Sequence, residues 1–135
     1  KNARDIFSKL SKAIDMGLVS SCHDCSEGGL AVAIAEMCMG SFLGASVFLE
    51  EAVKEKGLLN YETLFSESPS RFIVEVRKDK KDEFQARLKD VPLGLLGCVS
   101  KEEKLVFYGT EAKGIMNLSL KEIEESWFSA FGEFR

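Results

Sequence analysis

The sequence predicts a single domain of the α/β (α+β) class, in which helices stack on a mixed sheet. Helical and strand-like patterns alternate along the 135 residues, and no linker, repeat or low-complexity segment separates them. The composition, 45% apolar and 30% charged with two prolines, is typical of a folded globular chain. A chain of this length buries about two-thirds of its unfolded surface, which is enough for a hydrophobic core.

The composition also argues against several classes of partner. No apolar run reaches the roughly 20 residues of a membrane span, so no membrane partner is expected. Eighteen Lys and Arg against 22 Asp and Glu give a net charge of −4, which disfavours nucleic acid. Four scattered cysteines do not form a disulfide scaffold and indicate a reducing, cytoplasmic location. The chain opens with Lys-Asn-Ala, so we expect a fragment of a longer protein.

The first elements follow from amphipathic spacing. Asn2 is a suitable cap for a first helix, and Gly17 suits its end. A short strand is predicted from Leu18 to His23, and a second helix from about Gly28 to Phe42. That helix is apolar on nearly every side, with Glu36 as its only charge, so we expect other elements to cover it on more than one side.

The middle of the chain reads as strand, helix and strand. A strand from Ala45 to Glu50 leads into a charged, weakly helical stretch that ends at Gly57. Asn60 is predicted to cap a short helix that runs through Phe65. Apolar and polar side chains then alternate from Phe72 to Arg77, which predicts a strand.

The last third contains a helix, two strands and a terminal helix. Asp79 opens a charged helix, and the segments 95–100 and 104–108 are predicted to pair as a β-hairpin over a polar turn. Ser119 and Glu122 form a capping box ahead of an amphipathic helix. We expect core or interface positions for the aromatic residues of that helix, which are Trp127, Phe128, Phe131 and Phe134.

A first polar segment, residues 22–30, joins a strand to the apolar helix. Gly28 and Gly29 allow a ligand to approach the backbone, and free N–H groups at a helix start favour a phosphate. Asp24, at the strand end, could hold a metal ion or a hydroxyl. The same residues also fit plain capping by Ser26 or Asp24 and a tight turn.

The histidine and the cysteines of this region have several interpretations. His23, the only histidine, is either a general base or ligand, or a hydrogen-bonded structural residue. Cys22 and Cys25 form a C-x-x-C pair, which suggests redox chemistry. The same pair is a weaker candidate for a zinc site, because the sequence offers no second pair of ligands. Cys38 and Cys98 lie in apolar stretches, and we expect both to be small core residues.

A second polar segment, residues 64–72, leads into the strand that begins at Phe72. Ser66, Ser68 and Ser70 can donate hydrogen bonds to phosphate or sugar oxygens, and Arg71 can bind an anion with two N–H groups. A turn closed by serine hydroxyls, with Glu67 and Arg71 paired on the surface, is the purely structural alternative.

Together the two segments resemble a known family. His-Asp-Cys-Ser-Glu-Gly-Gly-Leu-Ala-Val-Ala and, further along, Leu-Phe-Ser-Glu-Ser-Pro-Ser-Arg-Phe resemble the synthetase subunit of phosphoribosylformylglycinamidine synthase. More broadly, they resemble the C-terminal domain of the aminoimidazole ribonucleotide synthetase-like superfamily. That superfamily includes selenophosphate synthetase, thiamine-monophosphate kinase and a hydrogenase maturation protein. The likeness runs from the first helix to at least Val76.

The resemblance implies a three-layer α/β/α domain with a partly ferredoxin-like sheet. It implies that residues 1–135 are the C-terminal domain of a longer ATP-dependent ligase, whose N-terminal ATP-binding domain is absent here. In that family ATP activates the formamide oxygen of formylglycinamide ribonucleotide, and ammonia from glutamine then displaces the phosphate to give the amidine. The implied cofactors are ATP and Mg, bound mainly by the N-terminal domain. The implied partners are that domain, a glutaminase and small accessory subunits.

The resemblance also assigns roles to matching residues. Asp24 resembles a magnesium-associated aspartate, and Gly28 and Gly29 resemble a turn that phosphate approaches. No residue is assigned a catalytic role. The full candidate set for binding substrate or phosphate is His23, Asp24, Ser26, Gly28, Gly29, Ser66, Glu67, Ser68 and Arg71, of which Ser66, Glu67 and Ser68 resemble a substrate-contacting loop.

The resemblance leaves open which kind of cleft this is. Large family members hold two copies of the domain, and the copy credited with substrate reads more like Asp-Met-Gly-Ala-Ala-Gly. Ser26-Glu27-Gly28-Gly29 resembles the later copy, whose cleft is an auxiliary nucleotide site.

Two other functions are considered beside the ligase domain. One is another ATP-dependent synthetase or kinase of the superfamily, although aminoimidazole ribonucleotide synthetase has an Asn-Met-Gly-type sequence where this chain has Phe65-Ser66-Glu67-Ser68. The other is a non-catalytic docking domain, which the apolar helix favours. We expect the isolated chain to be inactive and to self-associate through apolar surface.

Overall fold

A computed structural model of the chain describes residues 3–52, 57–109, 111, 113–129 and 132. The helices in these ranges are α1 (Ala3–Asp15), α2 (Gly29–Ser41), α3 (Asn60–Phe65), α4 (Lys81–Arg87) and α5 (Leu120–Ser129). The strands are β1 (Ser21–Asp24), β2 (Gly44–Phe48), β3 (Phe72–Glu75), β4 (Gly97–Ser100), β5 (Lys104–Tyr108) and β6 (Gly114–Ser119). The predictions for Asn2, Phe131, Phe134 and most of the stretch before Gly57 fall outside the described residues.

The strands form a mixed four-stranded sheet and a separate antiparallel pair. The sheet has the order β4-β2-β5-β6, in which β2 runs parallel to β5 and the other neighbours are antiparallel. β1 pairs with β3, so that Asp24 lies opposite Phe72. The predicted α/β class with a mixed sheet is confirmed.

The core of the four-stranded sheet forms against α2. Leu30 and Ile34 of α2 are buried with Val47, Leu105 and Phe107 of β2 and β5. α2 also contacts α3, α5, β1 and β3. The prediction that this apolar helix is covered on more than one side is therefore confirmed, and its neighbours come from this chain.

The β1–β3 pair lies between two helical layers. Because successive residues of a strand point to opposite faces, Ile73 packs with the α2 core while Val74 packs with α1 and α4. The core on the second side contains Ala13, Leu18, Phe84 and Leu88. This pair of strands is thus the middle of an α/β/α arrangement.

The predicted hairpin is wrong, although both of its strands exist. β4 and β5 do not pair with each other, because β2 lies between them. Residues 101–103 carry the chain across the start of β2, where a side chain on Gly44 would collide with the main chain of Glu102 and Lys104. The lack of a side chain at Gly44 is what permits this crossing.

Several other local predictions need correction. Asn60 is the first residue of α3 rather than its cap, and the Leu59 N–H donates to the Glu62 carboxylate. Among the described residues, the buried Asn60 Oδ1 has no hydrogen-bond partner. Cys38 is buried as expected, but Cys98 is exposed. β6 had no counterpart in the sequence prediction, since its burial alternates only weakly.

The start of α5 agrees with the sequence. The Ser119 N–H and hydroxyl donate to Glu122 Oε2 at 2.8 and 2.7 Å, and the Glu122 N–H donates back to Ser119 Oγ at 3.2 Å. Trp127 and Phe128 of this helix are exposed rather than in the core. None of the helices in the described ranges is both long enough and apolar enough to cross a bilayer.

Candidate functional site

The two polar segments meet in a cleft of about 740 Å³. The pairing of β1 with β3 brings them together, and it continues past the strand ends because the Cys25 N–H donates to the Arg71 carbonyl oxygen at 2.9 Å. The wall consists of residues 22–26 and 67–72, with Phe7 of α1. The predicted site residues that line it are His23, Asp24, Ser26, Glu67, Ser68 and Arg71.

Gly28 connects the two segments behind this wall. Its N–H donates to Glu67 Oε1 at 2.9 Å, so a carboxylate of the chain itself lies at the turn where a phosphate was predicted. Gly28 has a left-handed backbone, with φ of 74°. A side chain there would also collide with Val32. The fold alone therefore explains why position 28 is a glycine, without any ligand.

Gly29 lies against the end of α3 rather than against open space. Its φ is 64°, and a Cβ atom would lie 2.8 Å from the Ser66 carbonyl oxygen and 2.9 Å from that of Leu64. Gly29 and Ser66 are absent from the cleft lining. The space that this glycine leaves is thus filled by main chain, and it serves packing of α3 against α2.

Arg71 uses its guanidinium to hold the end of α3. Its Nη1 atom donates to Ser66 Oγ at 3.0 Å and to the Ser66 carbonyl oxygen at 3.4 Å, and Nη2 donates to the Thr63 carbonyl oxygen at 3.3 Å. The last carbonyl groups of a helix lack partners within the helix, so a cation here is favourable. The surface pair of Glu67 and Arg71 that the sequence suggested is not formed; Glu67 contacts Gly28 instead.

His23 turns away from the loop and towards α2. Its Nε2 lies 2.8 Å from Glu36 Oε2, and its Nδ1 lies 2.7 Å from the Asp24 carbonyl oxygen. This is the hydrogen-bonded arrangement that the sequence left open for this residue. Glu36 was not among the predicted site residues, although its standing as the only charge of an apolar helix was a signal.

The thiols of the C-x-x-C pair are in unreactive surroundings. Cys22 is exposed and Cys25 is buried, and both are free. Although Cys22 is exposed as a residue, partial desolvation of its thiol raises the pKa, and the Asp24 carboxylate raises it further. Burial also raises the pKa of Cys25, against the lowering effect of Arg71. Redox cysteines have a lowered pKa, so these shifts disfavour the redox interpretation.

Two further features shape the cleft: Phe7, which the sequence analysis did not identify, and the backbone of Ser70, which it considered only as a hydroxyl donor. The Phe7 ring meets the Phe72 ring edge to face, with centroids 5.4 Å apart, and thereby brings α1 to the cleft. Ser70 has a left-handed backbone with φ of 61°, which is uncommon for a residue with a side chain. Such strain is often found in loops at ligand sites.

The exposed charged side chains of the cleft are carboxylates, although one oxygen of Glu67 already accepts the Gly28 N–H. The Asp24 side chain is 62% exposed, and Glu67 is exposed on the opposite wall. These negative carboxylates would repel a bare phosphate. A phosphate that carries Mg²⁺ brings a positive ion, which the carboxylates attract. No three acidic, histidine or cysteine side chains gather as a metal site in the described ranges. The exposed Asp24 carboxylate is of the ligand type that Mg²⁺ prefers and would supply such an ion with one oxygen ligand.

The chain is similar in sequence to known proteins. A family model described as "AIR synthase related protein, C-terminal domain" matches residues 3–110. "Phosphoribosylformylglycinamidine synthase subunit PurL" of Methanococcus aeolicus is 33% identical over 131 residues, which is 96% of this chain and 17% of that protein. The PurL subunit of Thermoanaerobacter pseudethanolicus is 37% identical over 118 residues, 86% of this chain and 15% of that protein. The chain therefore spans about one-sixth of these relatives.

Solved structures share the fold. T. maritima PurL complexed with ATP superposes with a TM-score of 0.79 at 21% identity, covering 87% of this chain and 21% of that chain. Hydrogenase maturation protein HypE in complex with ATP gives a TM-score of 0.68 at 16% identity, covering 86% of this chain and 41% of that chain. Fold and sequence together show that the chain belongs to the family of AIR synthase related proteins, as their C-terminal domain.

Proposed function

We propose that this chain forms one wall of the nucleotide and substrate cleft of an ATP-dependent, amidine-forming ligase of purine biosynthesis. The observation that carries the proposal is the cleft itself, because the two segments that resemble this family lie far apart in sequence and line one cleft. The likeness to PurL subunits over 96% of the chain supports the same reaction. The reaction converts formylglycinamide ribonucleotide to its amidine, with ATP and ammonia from glutamine.

The residues of this chain bind and orient rather than perform the bond-making steps. Ser26 and Ser68 offer hydroxyl groups to phosphate or sugar oxygens, and Asp24 offers a carboxylate. Mg²⁺, when bound with the nucleotide phosphates, supplies the positive charge that the open carboxylates require. Arg71 and Gly29 support the wall through α3. No residue of the chain is assigned a catalytic role.

The remaining parts of the ligase come from outside residues 1–135. We propose an N-terminal ATP-binding domain in the same polypeptide, which binds most of the nucleotide and Mg²⁺, and a glutaminase and small accessory subunits in a cytoplasmic complex. A solved T. maritima assembly named PurLQS and a PurL complexed with FGAR are the relevant precedents among proteins of this fold.

A non-catalytic docking or auxiliary domain is the second candidate. The observation in its favour is that the Gly28 N–H and the Arg71 guanidinium already have partners within the chain, which leaves fewer donors for a ligand. Under this alternative the cleft stabilises the assembly and takes no part in turnover.

A domain replacement distinguishes the two. In PurL of M. aeolicus, the segment that matches this chain is exchanged for residues 1–135, and ATP-dependent amidine formation is measured. We expect activity in the hybrid, none in the isolated chain, and a loss of about 100-fold or more when Asp24→Ala is introduced, as is common when a group at a transferring phosphate is removed. A folded, active hybrid that tolerates Asp24→Ala would favour the docking or auxiliary domain.

A further inference from the structure

We propose that Glu36 is a positioning residue that fixes Asp24 in the cleft through the imidazole of His23. The proposal rests on the proposed function in one respect only, namely that Asp24 serves a ligand. The chain of contacts itself runs from α2, across the end of β1, to the backbone of Asp24, and it is defined by the distances alone.

The contacts join three groups in series. Glu36 Oε2 lies 2.8 Å from His23 Nε2, and His23 Nδ1 lies 2.7 Å from the Asp24 carbonyl oxygen. The Asp24 carboxylate is farther away, with Oδ1 at 3.6 Å from Nδ1, which is too long for a hydrogen bond. The ring therefore holds the main chain of Asp24 and leaves its carboxylate free for the cleft.

The chemistry of the acceptors fixes the ring. A backbone carbonyl oxygen only accepts hydrogen bonds, so Nδ1 must be the donor to Asp24. Nε2 then faces a carboxylate oxygen of Glu36 at 2.8 Å, which is a hydrogen-bond distance. Both ring nitrogens are engaged, so His23 has none to offer a ligand or a reacting group without breaking a contact. We accordingly assign His23 the role of support rather than of ligand.

The exposure of the side chains increases along the series from Glu36 to Asp24. The side chains of Glu36 and His23 are 27% and 31% exposed, whereas that of Asp24 is 62% exposed. Glu36 is the only charge on a helix whose other residues are buried or half-buried, apart from the exposed Gly40 and Ser41 at its end. A charge in such surroundings costs free energy unless it is paired. The pairing with His23 accounts for a carboxylate at this position.

The chain offers a matched control. Glu75 lies on the same face of the β1–β3 pair as His23, and its Oε2 accepts a hydrogen bond from Ser21 Oγ at 2.8 Å. Glu75 thus ties the other end of β1 but does not line the cleft. Glu75→Ala removes a carboxylate and a hydrogen bond of similar kind. Glu36→Ala keeps a strong helix former in α2, and Glu36→Gln keeps a hydrogen-bonding group.

The first measurement is nuclear magnetic resonance of the chain, in which a single histidine gives unambiguous ring-nitrogen signals. We expect Glu36→Ala to shift both ring nitrogens and the Asp24 carbonyl carbon, and Glu75→Ala to leave all three in place. Glu36→Gln should shift Nε2 but retain the Nδ1 contact. Ring signals that do not respond to Glu36→Ala in a folded chain would overturn the proposal, whether or not the domain belongs to a ligase.

The second measurement is calorimetric affinity for Mg·ATP. We expect Glu36→Ala to weaken binding about tenfold, the weight of one charge-assisted hydrogen bond, with partial rescue in Glu36→Gln and no change in Glu75→Ala. If Asp24→Ala weakens binding but Glu36→Ala does not, the positioning role is overturned. If Asp24→Ala has no effect on Mg·ATP, the proposed function fails, while the response of the Asp24 carbonyl signal still decides whether Glu36 positions that residue.

Discussion

The carbonyl oxygen of Ser66 lies 2.8 Å from where a side chain on Gly29 would begin. The two residues belong to the two segments that the sequence singled out, and they touch behind the cleft rather than across it. The glycine is therefore required by the approach of the α3 end to the start of α2. This contact, rather than access for phosphate, is the first consequence of losing Gly29.

We predict that Gly29→Ala lowers the free energy of unfolding by at least about 3 kcal/mol, because it combines backbone strain with a collision against main chain. Two glycines separate these causes. Gly17 has a φ of 68° and open space, so Gly17→Ala should cost about 1–2 kcal/mol from strain alone. Gly40 lies on α2 with open space around it, so Gly40→Ala should raise the free energy of unfolding by about 0.5–1 kcal/mol.

Urea unfolding of the three variants provides the test. A Gly29→Ala chain as stable as the unmodified chain, with a loss confined to ligand affinity, would show that the position serves the ligand instead.

Local patterns predicted the elements better than they predicted the arrangement. The Ser119–Glu122 capping box and the covered apolar helix α2 follow from side chains close in sequence, and both are confirmed. The order β4-β2-β5 was missed because the alternation of residues 95–108 shows two strands but not which strand lies between them. That arrangement depends on Gly44, which is remote in sequence.

For Arg71 we predict a structural loss on substitution. Arg71→Ala removes the donors to Ser66 and Thr63 and should lower the free energy of unfolding by about 1.5–3 kcal/mol, as for hydrogen bonds to a charged group. Arg77→Ala is the control, because its exposed pair with Asp79 is worth about 0–1 kcal/mol. If thermal unfolding shows that Arg71→Ala and Arg77→Ala lower the stability by the same small amount, Arg71 does not hold α3.

The cysteines should react in an order set by burial. At pH 8 we expect an alkylating reagent to modify exposed Cys98 and Cys22 first and buried Cys25 and Cys38 last. Burial raises the pKa of Cys38 to about 11, so its thiolate becomes abundant only as the pH rises towards that value. Mass spectrometry of the modified chain reads the order. Rapid modification of Cys25, or a Cys22–Cys25 disulfide under mild oxidant, would restore the redox interpretation.

Exposed hydrophobic side chains predict self-association of the isolated chain. Phe48 and Tyr108 stack with ring centroids 4.7 Å apart at the C-terminal ends of the central strands β2 and β5, and Phe42 is 70% exposed. Sedimentation velocity at rising concentration should show an increasing mean mass, reduced by Phe48→Ser and unaffected by Lys101→Ser in an exposed turn. A constant monomer mass over the whole concentration range would contradict this expectation.

Much of the cleft lining was predictable from the sequence, but the contacts that its residues make were not. Segments 22–30 and 64–72 were identified by residue type, and pairing of β1 with β3 does bring them to one cleft. Sequence could not show that Glu67 contacts Gly28 or that Arg71 turns to α3, because each polar group had several partners within reach. Phe7 was missed because α1 reaches the cleft only in the folded chain.

The most direct test of the proposed cleft is a nuclear magnetic resonance titration of the chain with ATP, in the presence and absence of Mg²⁺. We predict that Mg·ATP at millimolar concentration shifts the amide signals of residues 24–26 and of Glu67, Ser68 and Ser70. ATP without Mg²⁺ should shift them much less, because the exposed charged side chains of the cleft are the carboxylates of Asp24 and Glu67. The signals of Ser46 and Val106, paired in β2 and β5 away from the cleft, should stay in place. Unchanged cleft signals with Mg·ATP, or shifts confined to β2 and β5, would contradict a nucleotide site at this cleft.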